Sequence, residues 1–442
     1  MEVFEILLIL AIALFSGLIL SRLAKLLKLP AVTAYLVAGV LIGPFCLGAL
    51  GREVFNVSWL GFTSLETVES FSIISDVALG FIAFSIGNEF RLNELKQIGK
   101  QATIIGILQA VITTLVVDAA LIGLHFIIPD VLSLEAAIVL GAVASATAPA
   151  ATLMVVKQYK AKGPVTKTLL PVVALDDAVG LILFAISFGI ARAMIASGDT
   201  GEGLNVVSII LEPVLEVVLS ISLGLIMGLI FTFVEKFFHS RSKRLAVSVA
   251  FVFITVAISM ISFNIGPIHI AFSSLLSCMM LGTIFCNICD FSAELMDRLD
   301  RWTAPIYVLF FVLSGAELNF SVFTGFVILI GVVYIIFRCL GKYYGARLSA
   351  ELSGADDNVK KYLGITLFPQ AGVALGMAMK AHTLGDAGVI VSNIVLFSVL
   401  IYEIFGPALT KLALTAAGEI DHTQKVSNRI KHHDKEVPTT KI

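Results

Sequence analysis

The chain has 442 residues, of which 58% are hydrophobic and only 14% are charged, and its mean hydropathy is +0.98. Soluble domains carry about 25% charged residues, so this composition argues against a protein that lives in water. The formal net charge of −2 leaves no excess of positive charge to neutralise phosphates, which argues against nucleic acid as a partner.

Apolar runs of about 20 residues, each long enough to cross roughly 30 Å of hydrocarbon, recur along the whole chain. They predict about thirteen membrane spans, and the first is kept as a mature helix because the acidic start of the chain is not typical of a cleaved signal. The predicted spans are 4–21, 30–47, 69–88, 102–126, 133–156, 167–195, 206–234, 244–263, 267–289, 302–316, 321–346, 361–380 and 387–415. We therefore expect an all-α polytopic membrane protein whose main partner is the lipid bilayer.

The basic residues predict the orientation of these spans. Most of the 30 Lys and Arg residues fall in alternate loops on one side, whereas the loops on the other side carry only Arg52, Arg192 and Lys380. Cytoplasmic loops accumulate basic residues, so we expect an external N-terminus and a cytoplasmic C-terminus.

The chain turns polar from Gly418 to its end, and about 25 residues without apolar periodicity predict a disordered tail rather than a domain. No G-x-G-x-x-G follows a strand-like run anywhere in the sequence, so we expect no nucleotide-sensing domain. No cofactor and no enzymatic activity are expected either, since neither a G-x-G-D pair nor a Ser/His constellation is visible at membrane depth.

Two segments of the first six spans match two segments of the last six, with the seventh span as a linker. Residues 79–89 align with 308–317, and 145–150 align with 366–372, where each segment places a proline in mid-span. An odd number of intervening spans makes the repeats inverted, which is typical of alternating-access transporters. We expect two inverted six-helix repeats with crossed broken helices, interrupted at Pro149 and at Pro369 and Gln370.

Asp176 and Asp177 lie in mid-span, about ten residues and hence roughly 15 Å from the cytoplasmic end. An acid at this depth costs on the order of 3 kcal/mol, so the pair needs a partner, a cation or a proton. Adjacent helical residues point about 100° apart, so one carboxyl can face a cavity while the other faces a neighbouring helix.

Basic residues of span eleven are the predicted partners of embedded acids. Arg338 and Lys342 are four residues apart and share one helix face. We expect Lys342 to contact the aspartate pair, the alternative being that it extends to the cytoplasmic interface. Arg338 lies deeper, and we expect a structural ion pair with Glu403 of the last span. The roles of Asp76, Asp118, Glu212 and Glu216 stay open.

The sequence resembles the monovalent cation:proton antiporter superfamily, in particular its sodium/proton branch with thirteen helices. The resemblance rests on Thr147-Ala-Pro-Ala150, on the Asp176–Asp177 pair, on Lys342 and on the early proline-containing segment 29–44, and it covers about residues 5–415. The sequence departs from the commonest form of the family at the predicted helix interruption, where residues 147–149 read Thr-Ala-Pro and many relatives have Thr-Asp-Pro.

The resemblance implies a homodimer that is divided into a scaffold and a mobile core. The implied units are a dimerisation domain (1–100 and 240–318), an ion-transporting core (101–196 and 319–417), a linker helix (197–239) and the cytoplasmic tail (418–442). It also implies that Asp177 binds Na⁺ at a site to which Asp176 and Thr147 supply further oxygens, and that Asp176 pairs with Lys342 in proton coupling. Two acids in the pair, rather than one, favour electrogenic exchange.

The function that we expect is exchange of Na⁺ (and Li⁺) for protons by alternating access across a prokaryotic plasma membrane, which serves pH homeostasis. Hard carboxylate and carbonyl oxygens suit a small alkali cation. K⁺/H⁺ exchange is the first alternative, and a sodium-coupled symporter of organic anions is the second. The sequence does not decide ion preference, stoichiometry, pH set-point or physiological direction.

Overall fold

The computed structural model describes residues 3–26, 31–50, 61–148, 152, 155–156, 159–200, 206–265, 268–322 and 324–420. These residues are almost entirely helical, and one antiparallel pair of short strands, β1 (Phe263–Ile265) and β2 (Ile268–Ile270), is described beside the helices. The helices of the described residues are α1 Val3–Leu26, α2 Ala31–Ile42, α3 Leu47–Leu50, α4 Leu65–Glu69, α5 Ser72–Glu89, α6 Leu92–His125, α7 Leu134–Val143, α8 Pro164–Thr200, α9 Val206–Glu235, α10 Arg241–Ser259, α11 Ser274–Ile288, α12 Ser292–Ala316, α13 Gly325–Leu352, α14 Asp357–Thr366, α15 Gly372–Ala381 and α16 Asp386–Ala416.

The helices confirm the predicted class of an all-α polytopic membrane protein. Eight of the described helices are long and apolar enough to cross a membrane, and α5, α7 and α11 are shorter apolar helices. Each predicted span overlaps a described helix or, for 133–156 and 361–380, an interrupted set of helical residues. Thirteen crossings and the inverted relation of the two halves stay predictions.

Two stretches differ from the predicted spans. The spans 244–263 and 267–289 meet at β1 and β2, where the backbone is extended rather than helical. Helix α12 begins ten residues before its predicted start, because Leu295 and Leu299 are buried on one face while Arg301 pairs with Asp297 at 2.6 Å on the exposed face. This stretch of α12 is therefore an amphipathic helix, although its many charged residues are typical of a loop between membrane spans.

Helix α6 is kinked near its N-terminal end. Gly99 has φ +77°, a left-handed conformation that interrupts the regular helix between Leu92 and His125. Only glycine adopts this conformation without steric cost. The kink explains why the predicted apolar span begins at 102, just after the bend.

Packing places the long helices in two neighbouring groups. Helix α2 packs on α1 and α12, and α5 packs on α11. Helix α6 packs on α13 and on α8, and α7 packs on α6 and α8. The largest apolar cluster contains side chains of both groups, and the described residues form two smaller clusters besides it. The two interrupted helices lie in the group that contains α6, α8 and α13.

The first residues of the predicted tail lie against α8. The Glu419 carboxylate accepts hydrogen bonds from the Val165 amide (2.6 Å), the Thr166 amide (2.8 Å) and the Thr166 hydroxyl (2.6 Å). A Cβ at Gly163 would lie 2.4 Å from the Glu419 carboxyl carbon, so the chain passes too closely for any side chain there. Residues 418–420 therefore differ from the predicted disordered tail, while 421–442 lie outside the described residues.

Replacing Glu419 by Ala is expected to lower the thermal stability of the protein in detergent. The carboxylate satisfies amides at the start of α8 that have no partner within the helix, and such a cap contributes about 1–2 kcal/mol. The measurement is the Tm of the purified protein compared with that of Glu351→Ala, whose carboxylate pairs with Arg347 on an exposed helix face at 3.0 Å. An equal Tm for the two variants would contradict the capping role.

Candidate functional site

The two interrupted helices contact each other at their interruptions. Helix α7 ends at Val143 and residues 144–148 are not helical, while α14 ends at Thr366 and α15 starts only at Gly372. The Ala148 amide donates to the Pro369 carbonyl at 2.9 Å, and the Gln370 side-chain amide donates to the Val143 carbonyl at 3.0 Å.

Of the residues predicted to break the helices, Pro369 and Gln370 lie in the interruption between α14 and α15. Gln370 is fully buried and donates to the Tyr334 hydroxyl at 3.0 Å in addition to its bond across the two helices. Pro149 lies outside the described residues. The interruptions expose backbone carbonyls within the protein, where they need donors.

Arg338 of α13 supplies donors to both interruptions. Its guanidinium donates to the Ala144 carbonyl (3.0 Å), the Ala146 carbonyl (2.7 Å) and the Phe368 carbonyl (2.7 Å). The side chain is fully buried and also lies 4.5 Å from the centre of the Tyr402 ring. Carbonyls after the end of a helix carry partial negative charge, so one guanidinium neutralises the ends of both half-helices.

The structure does not bring Arg338 and Glu403 together, and the predicted ion pair between them is not among the salt bridges of the described residues. Glu403 is buried with 1% of its surface exposed and accepts from the Thr33 hydroxyl of α2 at 3.3 Å. Its neighbour Tyr402 faces Arg338 instead. Because adjacent helical residues point about 100° apart, Glu403 is directed away from the guanidinium.

Asp176 is fully buried on α8 and accepts hydrogen bonds from three side chains. Lys342 of α13 donates to its Oδ2 at 2.7 Å, and Thr147, in the first interruption, donates to the same oxygen through its hydroxyl. The other oxygen, Oδ1, accepts from the side-chain amide of Gln109 on α6. The carboxylate thus joins α6, α8, α13 and the first interruption.

Lys342 is also fully buried, so it does not extend to the cytoplasmic interface. Besides Asp176, its ammonium donates to the Thr147 hydroxyl at 2.9 Å, to Gln109 Oε1 at 3.2 Å and to the Ser145 carbonyl. A buried ammonium is tolerated when a carboxylate and further acceptors surround it, and that condition is met here. Asp176 and Lys342, predicted to pair, are in direct contact.

Gln109 is a site residue that the sequence reasoning missed. Helices α6 and α13 approach so closely that a Cβ at Gly341 would lie 2.9 Å from Cα of Thr113. This approach brings Gln109 to Lys342, the residue next to Gly341. The available signal was a lone amide in the apolar run 102–126, on the same helix face as Thr113.

Asp177 is buried with 2% of its surface exposed. It follows Asp176 on α8, and Gly180, three residues later on the same helix, lies so close to the first interruption that a Cβ there would be 2.9 Å from Ser145 Oγ. Residues three apart share a helix face. Asp177 therefore lies on the side of α8 that is packed near the interruption and not on a lipid-facing surface.

Among the other embedded acids, Glu216 pairs with Arg192 at 3.0 Å between α9 and α8. Asp118 lies against α7, where a Cβ at Gly141 would overlap its carboxylate. Glu212 is buried on α9 and Asp76 is half-buried on α5.

Comparison with known proteins agrees with this architecture. The model of the family described as "Sodium/hydrogen exchanger, transmembrane" matches residues 10–414. No curated protein matches the chain. The structure of the sodium proton antiporter MjNhaP1 from Methanocaldococcus jannaschii at pH 8 is similar, with a TM-score of 0.66 and 17% identity over 92% of this chain and 97% of that chain.

A second structure of MjNhaP1, from a 3D EM map, has a TM-score of 0.67 and 18% identity over 95% of this chain and 100% of that chain. At these identities the likeness shows the fold. The resemblance to the monovalent cation:proton antiporter superfamily is confirmed. Because the family model covers nearly the whole chain, the protein belongs to the sodium/hydrogen exchanger family of membrane cation/proton antiporters.

Proposed function

We propose that the protein exchanges cytoplasmic Na⁺, and also Li⁺, for external protons by alternating access, and that the exchange is electrogenic. The observation that carries this proposal is the buried Asp176–Asp177 pair, which faces the Lys342 ammonium beside two helices interrupted at the same place. Two carboxyls at this depth need compensating positive charge, which a proton or an alkali cation supplies.

In this proposal Asp177 binds the cation and Thr147 belongs to the same site. Carboxylate, hydroxyl and carbonyl oxygens are hard ligands that suit a small alkali ion; the interruptions provide hydroxyl and carbonyl oxygens, and α8 provides the carboxylates. Protons and the cation compete for Asp177. Cation binding loosens the contact between Asp176 and Lys342, so that Lys342 couples a second proton to each cation.

The packing supports a division into two moving units. Helices α1, α2, α5, α10, α11 and α12 would form the scaffold, within residues 1–100 and 240–318. Helices α7 and α13–α16, with most of α6 and α8, would form the core of residues 101–196 and 319–417, with α9 as the linker. Residues Asp176, Gln109 and Lys342 all belong to the proposed core, so a rigid movement of that unit carries the site intact.

We further propose a homodimer through the scaffold, located in a prokaryotic plasma membrane. One side of α1 leaves Phe4, Phe15 and Leu23 exposed, an apolar face that suits lipid or a second copy. The N-terminus would be external and the C-terminus cytoplasmic, as the distribution of basic residues predicts.

The test is a current measured from proteoliposomes on a solid supported membrane. Steps of Na⁺, Li⁺ and K⁺ at equal concentration are applied at several pH values. Na⁺ and Li⁺ are expected to evoke currents while K⁺ does not, because the proposed two protons for one cation move net charge. Protein-free liposomes serve as the control.

The alternatives give different results in the same measurement. Currents evoked by K⁺ but not by Na⁺ would identify K⁺/H⁺ exchange. If Na⁺ dissipates a proton gradient in everted vesicles without producing a current, the exchange is electroneutral. A sodium-coupled symporter of organic anions predicts that Na⁺ leaves the proton gradient unchanged and instead drives the uptake of a labelled anion.

A further inference from the structure

The carboxylate of Asp176 has little capacity left for a cation in this arrangement. Its Oδ2 already accepts from the Lys342 ammonium at 2.7 Å and from the Thr147 hydroxyl. A carboxylate oxygen has two lone pairs, so these two donors occupy Oδ2. The oxygen that decides whether Asp176 joins a cation site is therefore Oδ1, which accepts from Gln109.

The side-chain amide of Gln109 forms hydrogen bonds with both Asp176 and Lys342. Its Nε2 donates to Asp176 Oδ1, and its Oε1 accepts from the Lys342 ammonium at 3.2 Å. The reverse orientation would direct the amide hydrogens at an ammonium and the amide oxygen at a carboxylate, so electrostatics selects the orientation observed. The side chain thereby links Asp176 Oδ1 to the Lys342 ammonium.

The position of Gln109 is itself held by its surroundings. Its side chain is fully buried, and Nε2 also lies 3.3 Å from the Gly106 carbonyl of the preceding turn. The Thr113 hydroxyl donates to the backbone carbonyl of Gln109 at 2.7 Å. A buried amide with partners at both ends is costly to displace, since each separated group would remain unsatisfied.

We propose that Gln109 is a positioning residue that holds Asp176 Oδ1 and so keeps Asp176 away from the transported cation, which leaves Asp177 as the only carboxylate ligand of the pair. This inference rests on the proposed cation exchange at the pair and removes Asp176 from the expected ligands of Na⁺. One carboxylate binds the cation less tightly than two, and weaker binding of the transported ion favours its release on the other side.

The test is the concentration dependence of cation-evoked exchange for Gln109→Leu and Gln109→Met in proteoliposomes, with the cation that the wild type transports. Neither variant donates an amide hydrogen to Asp176 Oδ1, which then becomes available to the cation. We expect the KM for the cation to fall at least threefold and kcat to fall with it, because the bound state is stabilised more than the transition state.

The matched control is Gln101→Leu, which removes an amide from the same helix, where Gln101 donates only to the Ser353 carbonyl at 3.4 Å among the described residues. Its KM is expected to equal that of the wild type. A merely structural role of Gln109 would lower the active fraction, so kcat would fall at constant KM. That result, or a KM that rises, would overturn the proposal.

Two further measurements keep the outcomes separate. If Gln109→Leu is not monodisperse in detergent, Gln109→Met, whose unbranched side chain has nearly the same length as glutamine, decides alone. If the wild type exchanges none of the three cations Na⁺, Li⁺ and K⁺, the proposed function itself is rejected. A wild type that exchanges the cation while both variants keep its KM would reject only the role of Gln109.

Discussion

Replacing Asp177 by Asn is expected to abolish cation-driven proton movement and to leave the protein folded. Asparagine has nearly the same size as aspartate, but it takes up no proton at neutral pH and lacks the negative charge that holds a cation against competing protons. In everted vesicles, Na⁺ should dissipate a respiration-driven ΔpH for the wild type and have no more effect on the variant than on vesicles that lack the protein. Undiminished exchange by the variant would contradict the assignment of Asp177.

Asp118→Asn is the matched control for this experiment, since Asp118 is a second membrane-embedded acid that lies against α7 and away from Lys342. It is expected to retain exchange. A binding measurement separates loss of the site from loss of movement. Na⁺ should raise the Tm of the purified wild type, because a ligand that binds only the folded state stabilises it, and should not raise that of Asp177→Asn.

Replacing Arg338 by Met is expected to cause the largest loss of stability among single substitutions in the core. Methionine fills a similar space but leaves the Ala144, Ala146 and Phe368 carbonyls without their donor. Removing one partner from a buried charged network costs on the order of 3–5 kcal/mol. The variant should be recovered mostly as aggregate after extraction, with a strongly lowered Tm in whatever fraction is monodisperse.

Arg347→Met on the same helix provides the control, because Arg347 is exposed and its salt bridge to Glu351, one helical turn away at 3.0 Å, lies on the helix surface. Its Tm should stay close to that of the wild type. Arg338→Lys should fall between the two, since an ammonium keeps the charge but cannot reach three carbonyls with the geometry of a planar guanidinium. Equal stability of Arg338→Met and Arg347→Met would show that the interruptions do not depend on this side chain.

The partner of Arg338 shows where reasoning from the sequence stopped. Its depth in span eleven correctly indicated a side chain that must find compensation inside the protein. Glu403 was the nearest acid by span position, so an ion pair was expected. The compensation instead comes from backbone carbonyls, which every residue carries and which therefore give no distinctive signal in the sequence.

Lys342 and Gln109 show which kind of contact can be predicted from the sequence and which cannot. The pairing of Lys342 with the aspartate pair could be predicted, since two opposite charges at membrane depth have few alternatives. Gln109 carries no charge, and an amide in an apolar helix has many ways to be satisfied. Its role became visible only when the close approach of α6 and α13 placed it between Asp176 and Lys342.

The order of residues along the chain was sufficient to determine a helical membrane protein, the places of most spans, the interruption at Pro369 and the buried acids and bases. Each of these depends on hydrophobicity, on backbone chemistry or on the cost of a charge in hydrocarbon, which are properties of a single segment. Only the tertiary structure decided which carbonyls Arg338 serves, that Gln109 joins Asp176 to Lys342, and that Glu419 caps α8. These contacts join segments far apart in the chain, and a shift of one helix by a single turn, about 5.4 Å, would replace every partner without changing the hydropathy of any span.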